Sequence, residues 1–217
     1  MSDWQVLQGN CLKLRSSLPH VDAVVTDPPY GIDHKTDYTR FSGGVPPARR
    51  DYGAVEGDVE PFEPAPWLGY QKVVLFGANC YSDRLPLGSW LIWCKRRDSK
   101  LGAFMSDCEV AWMKGGHGVY LFNHVWDGFD KASERGVPRI HPTQKPVAVM
   151  RWVIERLRLP KGATILAPYM GAGATGVAAL QLGYRFIGID LNAEYCEAAQ
   201  RRLKGPLQAE MSLQEAV

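Results

Sequence analysis

The sequence predicts an α/β fold with a mostly parallel sheet, and three observations carry that expectation. First, several short runs, among them Ala23–Val25, Lys72–Ala78 and Phe186–Asp190, are apolar and rich in β-branched residues, as buried strands require. Second, Pro146 to Leu159 has helical amphipathic spacing, with Met150, Val153, Ile154 and Leu157 on one face and Arg151, Glu155 and Arg158 on the other. Third, the C-terminal third alternates strand and helix patterns around a glycine-rich turn, which is the grammar of parallel sheets. A chain of 217 residues suits one such domain with a proper core.

In chain order, Trp4–Leu7 reads as an opening strand ended by Gln8-Gly9-Asn10, and Cys11–Leu18 as a short helix with leucines at 12, 14 and 18. Ala23–Val25 is the next strand. Residues 31–66, with Gly43-Gly44 and Pro46-Pro47 and no sustained period, read as a long mobile loop. Between 67 and 140, the runs Lys72–Ala78, Trp90–Trp93, Glu109–Met113 and Val119–Leu121 follow one another without helical patterns, which suggests hairpins at one side of the sheet. The basic cluster Lys95-Arg96-Arg97-Asp98-Ser99-Lys100 falls on a loop between two of them. Residues 141–204 then read as helix (Pro146–Leu159), strand (Ala163–Ala167), helix (Thr175–Leu182), strand (Phe186–Asp190) and helix (Ala193–Leu203). Pro160-Lys161-Gly162 ends the first of these helices.

Composition excludes some classes. The net charge of +2 permits nucleic-acid binding without arguing for it, so any basic surface must come from clustering. The five cysteines are scattered and lack metal-ligand spacing, which points to a reduced cytoplasmic setting rather than a disulfide framework or a metal site. No signal-like start and no membrane-length apolar run is present in the sequence.

Two stretches carry chemistry. Val24-Val25-Thr26 runs straight into Asp27-Pro28-Pro29-Tyr30, where the prolines end strand pairing and stiffen the chain. A carboxylate, rigid backbone carbonyls and an aromatic ring are thereby presented together at a strand end, the edge at which α/β sheets bind ligands. A carboxylate and a carbonyl side by side accept both hydrogens of one amino group, and a tyrosine stacks on the ring that bears it. The second stretch is Met170-Gly171-Ala172-Gly173-Ala174-Thr175-Gly176, between a strand and a helix, with Asp190 ending the following strand. This arrangement holds adenosine-bearing cofactors: glycines admit the ligand to the backbone, the helix start offers N–H groups and the acid takes ribose hydroxyls. Spacing does not separate a nicotinamide cofactor from S-adenosylmethionine. Position does, because the glycine unit lies near the end of the chain and the other strands must come from upstream.

Asp27-Pro28-Pro29-Tyr30 resembles the catalytic motif of the amino-methylating DNA methyltransferases, which act on adenine N6 or cytosine N4. The order of motifs, catalytic first and glycine turn last, resembles the beta class of that family in its compact phage and prophage form. His141-Pro142-Thr143-Gln144-Lys145-Pro146 is similar to the family's cofactor-side motif. The resemblance runs from Gly9 to about Leu203. It implies a Rossmann-like S-adenosylmethionine-dependent fold with permuted motifs, and a restriction-modification type of activity on double-stranded DNA with the base flipped out. Asp27, Pro28, Pro29 and Tyr30 would then be catalytic. The implied cofactor site comprises Asn10, Cys11, Asp27, His141, Thr143, Gln144, Lys145, Pro168, Tyr169, Met170, Gly171, Ala172, Gly173, Asp190 and Leu191, with no metal. S-adenosylhomocysteine is the implied product, a bacterial or phage-infected cytoplasm the implied setting, and a homodimer is allowed. Arg40, Arg49 and Arg50 are expected to reach phosphates from a loop that closes over the base, and the cluster at 95–100 is a further candidate phosphate contact.

Two departures stand out. Ala167 occupies the place of an acid expected near the cofactor's ammonium group, so that Ala167→Asp is expected to tighten cofactor binding, and Asn10 stands where the family usually has Asp. Asp before Pro-Pro favours adenine over cytosine. A cofactor-impaired DNA-binding relative is the alternative motivated by Ala167, and a nicotinamide oxidoreductase is disfavoured by the motif order.

Overall fold

The computed structural model describes residues 3–32, 57–102, 106–126, 131–135, 140–141 and 143–204. Seven strands form one sheet: β1 (Trp4–Gln8), β2 (Ala23–Thr26), β3 (Lys72–Phe76), β4 (Gly88–Cys94), β5 (Cys108–Asn123), β6 (Thr164–Ala167) and β7 (Arg185–Asp190). Their spatial order is β1-β7-β6-β2-β3-β5-β4. The run β1-β7-β6-β2-β3 is parallel throughout. The late strands β6 and β7 are therefore inserted between the two earliest ones, the permuted α/β arrangement that the motif order implied.

The helices divide between the two faces of the sheet. α3 (Val147–Leu157), α4 (Ala174–Gln181) and α5 (Ala193–Lys204) cover one face, packing Met150, Val153, Ile154, Val177, Ala178 and Leu203 against Ala23, Val25, Val74 and Ile165. On the other face, α1 (Cys11–Leu14) and α2 (Ala65–Leu68) bring Cys11 and Trp67 against Val24, Val73, Leu75, Leu166 and Ile189. Strands β2 and β6 are buried on both faces, which is why they read as unbroken apolar runs.

Several expectations are corrected. Glu109–Met113 and Val119–Leu121 lie in the two oppositely directed arms of β5, which folds around β4. Its first half descends along β4 from Lys114 opposite Gly88 to Cys108 opposite Cys94. Its second half runs parallel to β4, from Val119 opposite Trp90 to Asn123 opposite Cys94. Gly115 and Gly116, at φ +86° and +67°, make the reversal between them. The helix expected to reach Leu159 stops at Leu157, with Arg158 in the left-handed region at φ +49°. The helix expected over Cys11–Leu18 ends at Leu14 and continues as one tight turn, Arg15–Ser17.

The loop expected over 31–66 is fixed over its last part. Phe62 is buried against Tyr81 and Tyr169, and Asp58 is buried while accepting the backbone N–H groups of Tyr30 (2.7 Å) and Gly31 (2.9 Å). Residues 33–56, with Arg40, Arg49 and Arg50, lie outside the described residues. No helix among the described residues is long and apolar enough to cross a membrane.

Candidate active site

Parallel strands end together, and here the ends of β1, β7, β6, β2 and β3 bring the motif residues to one edge. Gly9 donates its N–H to the Asp190 carbonyl (2.8 Å), which joins the turn after β1 to the end of β7. Tyr169 donates its N–H to Thr26 Oγ1 (3.2 Å), which joins the end of β6 to the end of β2. The glycine turn and Asp27 are thus neighbours because their strands are, although 143 residues lie between Asp27 and Gly171 in the chain.

At the glycine turn, Asp190 shapes the backbone. Its Oδ2 accepts the Gly171 N–H (2.8 Å) and its Oδ1 the Asn192 N–H (3.0 Å). Gly171 and Gly173 adopt φ +53° and +77°, and a Cβ on Gly173 would stand 3.0 Å from that of Ala199 in α5. A Cβ on Gly171 would meet the His141 ring at 3.6 Å, so this imidazole lies along the turn, its other neighbour being the Tyr195 ring at 4.4 Å between centroids. His141 Nδ1 accepts from the Thr143 backbone N–H (3.3 Å) and lies 3.1 Å from Thr143 Oγ1. Burial, reinforced by the Lys145 charge, lowers the imidazole pKa to about 4. Gln144 is buried, its Oε1 accepting from the Ile140 N–H (3.0 Å).

Other expected cofactor residues have local work as well. Asn10 Oδ1 caps α1 through the N–H groups of Leu12 (2.9 Å) and Lys13 (3.3 Å). Cys11 is buried beside Tyr169, and burial raises both side chains above their ordinary pKa values. The Tyr169 ring packs edge-on against Phe62 and Trp67. Pro168 and Ala172 are buried or nearly so beside Met170, while Leu191 remains exposed just past β7. Ala167 is fully enclosed in the core beneath α3 and α4. A carboxylate there would be desolvated, which argues that Ala167→Asp burdens the fold and weakens the expected gain in affinity.

Around Asp27 the structure assembles more than the sequence announced. Tyr30 Oη donates to Asp27 Oδ1 (2.5 Å), and the Lys145 ammonium donates to Asp27 Oδ2 (2.5 Å). The same ammonium reaches Glu109 Oε2 (3.0 Å) and Tyr30 Oη (3.3 Å), so all three of its hydrogens have acceptors. Glu109 Oε1 in turn accepts from Lys95 Nζ (3.0 Å). The result is a line of alternating charge, Asp27, Lys145, Glu109, Lys95. The Lys145 side chain is 6% exposed and that of Asp27 18%.

Charge sharing sets the proton affinities. Burial raises the Asp27 pKa, Lys145 offsets this in part, and Glu109 adds to it. Burial alone would raise Glu109 too, but Lys145 and Lys95 on either side pull it down to about 2. The two carboxylates hold Lys145 firmly protonated against its burial, with its pKa above the ordinary lysine value.

Sequence reasoning missed Glu109, Asp58 and Gly77. Gly77 follows β3 at φ +68°, and a Cβ there would lie 2.0 Å from Tyr30 Cε1, so the glycine is the seat of the tyrosine ring. Its place at the end of a buried strand was the one available signal. Lys95, first residue of the basic cluster read as a phosphate contact, is turned inward to Glu109, and Arg96 is largely buried with its Nε 3.9 Å from Asp107. Lys145, expected in the cofactor site, is paired with Asp27 instead of standing open. No group of His, Cys, Asp and Glu able to hold a metal occurs among the described residues.

Comparison with known proteins agrees with this geometry. Residues 118–201 match the family model for DNA methylases of the N6/N4 kind. Over 118 residues the chain is 35% identical to the type II methyltransferase M2.DpnII of Streptococcus pneumoniae, a match covering 52% of this chain and 41% of that protein. The chain is 28% identical over 214 residues to YubD of Escherichia coli (strain K12), itself assigned as a methylase only by name, covering 91% of this chain and 88% of the relative. The M1.HpyAVI complex with S-adenosylmethionine superposes with a TM-score of 0.54 at 22% identity, covering 92% of this chain and all of that one. The cytosine-N4-specific PvuII DNA methyltransferase gives a TM-score of 0.59 at 14% identity, covering 93% of this chain and 86% of its own. At such identities the two structures speak for the fold alone.

Proposed function

We propose that the chain, which matches the DNA methylase family model over residues 118–201, transfers a methyl group from S-adenosylmethionine to N6 of an adenine flipped out of double-stranded DNA. The observation that carries the proposal is the meeting of Asp27 with the glycine turn at the ends of the neighbouring parallel strands β2 and β6. S-adenosylmethionine supplies an activated methyl group on a positively charged sulfur. The residues present fit it: Gly171 leaves the turn without a side chain beside the His141 ring, Gly173 lets the turn pack closely on Ala199 of α5, and an acid stands at the end of β7. Asp190 would hold the ribose, Leu191 and Tyr169 would flank the adenosine, and Thr143 and Gln144 would stand toward the methionine end.

Asp27 and the Pro28 carbonyl accept the two hydrogens of the exocyclic amine. An amine conjugated to its ring is a poor nucleophile; held in this way it pyramidalises and regains a directed lone pair. The gain comes from positioning and electrostatics, with no covalent enzyme intermediate. Asp27, its proton affinity raised by burial, is also the acceptor for the proton the amine sheds after transfer. Asp58 pins the end of the motif through the Tyr30 and Gly31 N–H groups. Tyr30, seated against Gly77, supplies aromatic surface for the extruded base.

Mass spectrometry of nucleosides from DNA incubated with the protein and S-adenosylmethionine tests the assignment. N6-methyldeoxyadenosine is the expected product. N4-methyldeoxycytidine would move the activity to cytosine, and the lack of any cofactor binding by calorimetry would overturn the enzyme reading altogether.

A further inference from the structure

Resting on that reading, we propose that Glu109 is a positioning residue for methyl transfer: it draws the Lys145 ammonium between two carboxylates, which leaves Asp27 able to accept the amine and keeps the site free of uncompensated positive charge.

Lys145 has three hydrogens, and Asp27, Glu109 and Tyr30 each take one, at 2.5, 3.0 and 3.3 Å. Were Glu109 neutral, the ammonium would have Asp27 as its single anionic partner. A carboxylate drawn into an undivided ion pair is a weaker acceptor for an incoming amine. Glu109 is placed to prevent this by the sheet. It lies at the start of β5, which pairs antiparallel with β3, and Gly77 N–H donates to the Val110 carbonyl (2.9 Å). The β5 backbone thereby fixes the Glu109 Cα at the edge where Asp27 stands.

The reacting methyl group must lie against the amine that Asp27 holds, so the positively charged sulfur is close to this cluster in the reactant, and the positive charge moves to the nitrogen during transfer. Asp27, Lys145, Glu109 and Lys95 sum to zero; with Glu109 neutral they sum to +1. In a site largely closed to water, an added unit charge at such range disfavours a cationic ligand by about ten-fold or more. The neutral thioether product does not feel it. Among the described residues, the other titratable groups facing Asp27 are the Tyr30 and Tyr81 hydroxyls, which remain neutral because burial raises both.

The experiment compares the full-length protein with Glu109→Gln, Lys95→Met and Asp27→Asn, measuring turnover on DNA and, by calorimetry, affinity for S-adenosylmethionine and S-adenosylhomocysteine. Glu109→Gln is expected to lower kcat by about ten-fold or more with the KM for DNA little changed, and to lower the ratio of S-adenosylmethionine to S-adenosylhomocysteine affinity by about ten-fold. Lys95→Met, which makes the cluster more negative, is expected to move that ratio the opposite way. A purely structural role would weaken both ligands alike. Equal ratios in wild type and both variants, or wild-type kcat in Glu109→Gln, would overturn the proposal. If Glu109→Gln does not fold, the direction of the shift in Lys95→Met decides. A wild type with neither turnover nor S-adenosylmethionine binding would sink the proposed function itself, activity retained by Asp27→Asn would sink the role given to Asp27, and an inactive Asp27→Asn beside a fully active Glu109→Gln would sink only the role of Glu109.

Discussion

At the scale of single residues, the site is built from side chains whose neighbours leave them few alternatives. Asp27 is the clearest case: both oxygens are engaged, by Tyr30 and Lys145, and its pKa is raised. Asp27→Asn keeps the shape and removes the charge, so turnover is expected to fall below about a tenth of wild type, a loss above ~1.4 kcal/mol in transition-state stabilisation. Binding of S-adenosylhomocysteine should persist, and calorimetry beside a single-turnover assay checks both. Asp27→Ala is a poorer probe, since it also strips Lys145 of a buried partner. Gly77 makes a sharper test. Any side chain there must adopt φ +68° and must displace a ring carbon standing 2.0 Å from its Cβ. Gly77→Ala is therefore expected to unseat Tyr30 and reduce turnover on DNA while the glycine turn, and with it cofactor affinity, stays intact. Wild-type turnover in this variant would show that the ring position does not matter.

At the scale of elements, one ion pair ties helix ends to the glycine turn. Glu134 lies in the left-handed region at φ +52°, and its Oε2 accepts the Val147 N–H at the start of α3 (3.0 Å). Its Oε1 pairs with Arg202 of α5 at 2.5 Å, and Arg202 also donates to the Ala172 carbonyl within the turn (3.2 Å). This supplies a side-chain cap for α3, which has none of its own at Pro146. Both partners are largely buried, so Glu134→Ala is expected to cost about 3 kcal/mol, read as a lower denaturation midpoint. Glu134→Gln retains the cap but not the charge and should fall between. A midpoint unchanged in Glu134→Ala would mean that α3 is held by its apolar face alone.

For the whole molecule, the buried imidazoles predict how stability responds to acid. Burial lowers the His141 pKa from 6.5 to about 4, and His124 is lowered by the same cause. The unfolded chain therefore binds protons that the folded chain refuses. The stability these imidazoles contribute is fully present above pH 6.5 and is lost as pH falls from there toward about 4. Below the ordinary Glu value of 4.5, Glu109 adds to the loss, since its folded pKa lies near 2. Thermal midpoints measured between pH 7 and pH 4 should fall more steeply for wild type than for His141→Gln. Parallel curves would mean that the imidazole is accessible and titrates normally in the fold.

Much of the fold and the outline of the site were legible in the sequence, because local rules write them locally. A buried parallel strand is a short β-branched run, a proline pair ends it, and a glycine turn opens a helix; Asp27, Tyr30, Gly171, Gly173 and Asp190 are marked in this way. The permuted order followed from where the glycine unit falls in the chain. The tertiary structure decided what sequence spacing does not encode. Glu109 and Lys95 look like ordinary members of a strand and a charged loop until β5 folds around β4 and places both at the edge beside Asp27. Lys145 carries the mark of a cofactor motif yet sits on Asp27, because two carboxylates far apart in the chain together hold one ammonium away from solvent. Pairing between distant strands sets such contacts, and a charge shows its partner only once the sheet has brought the two together.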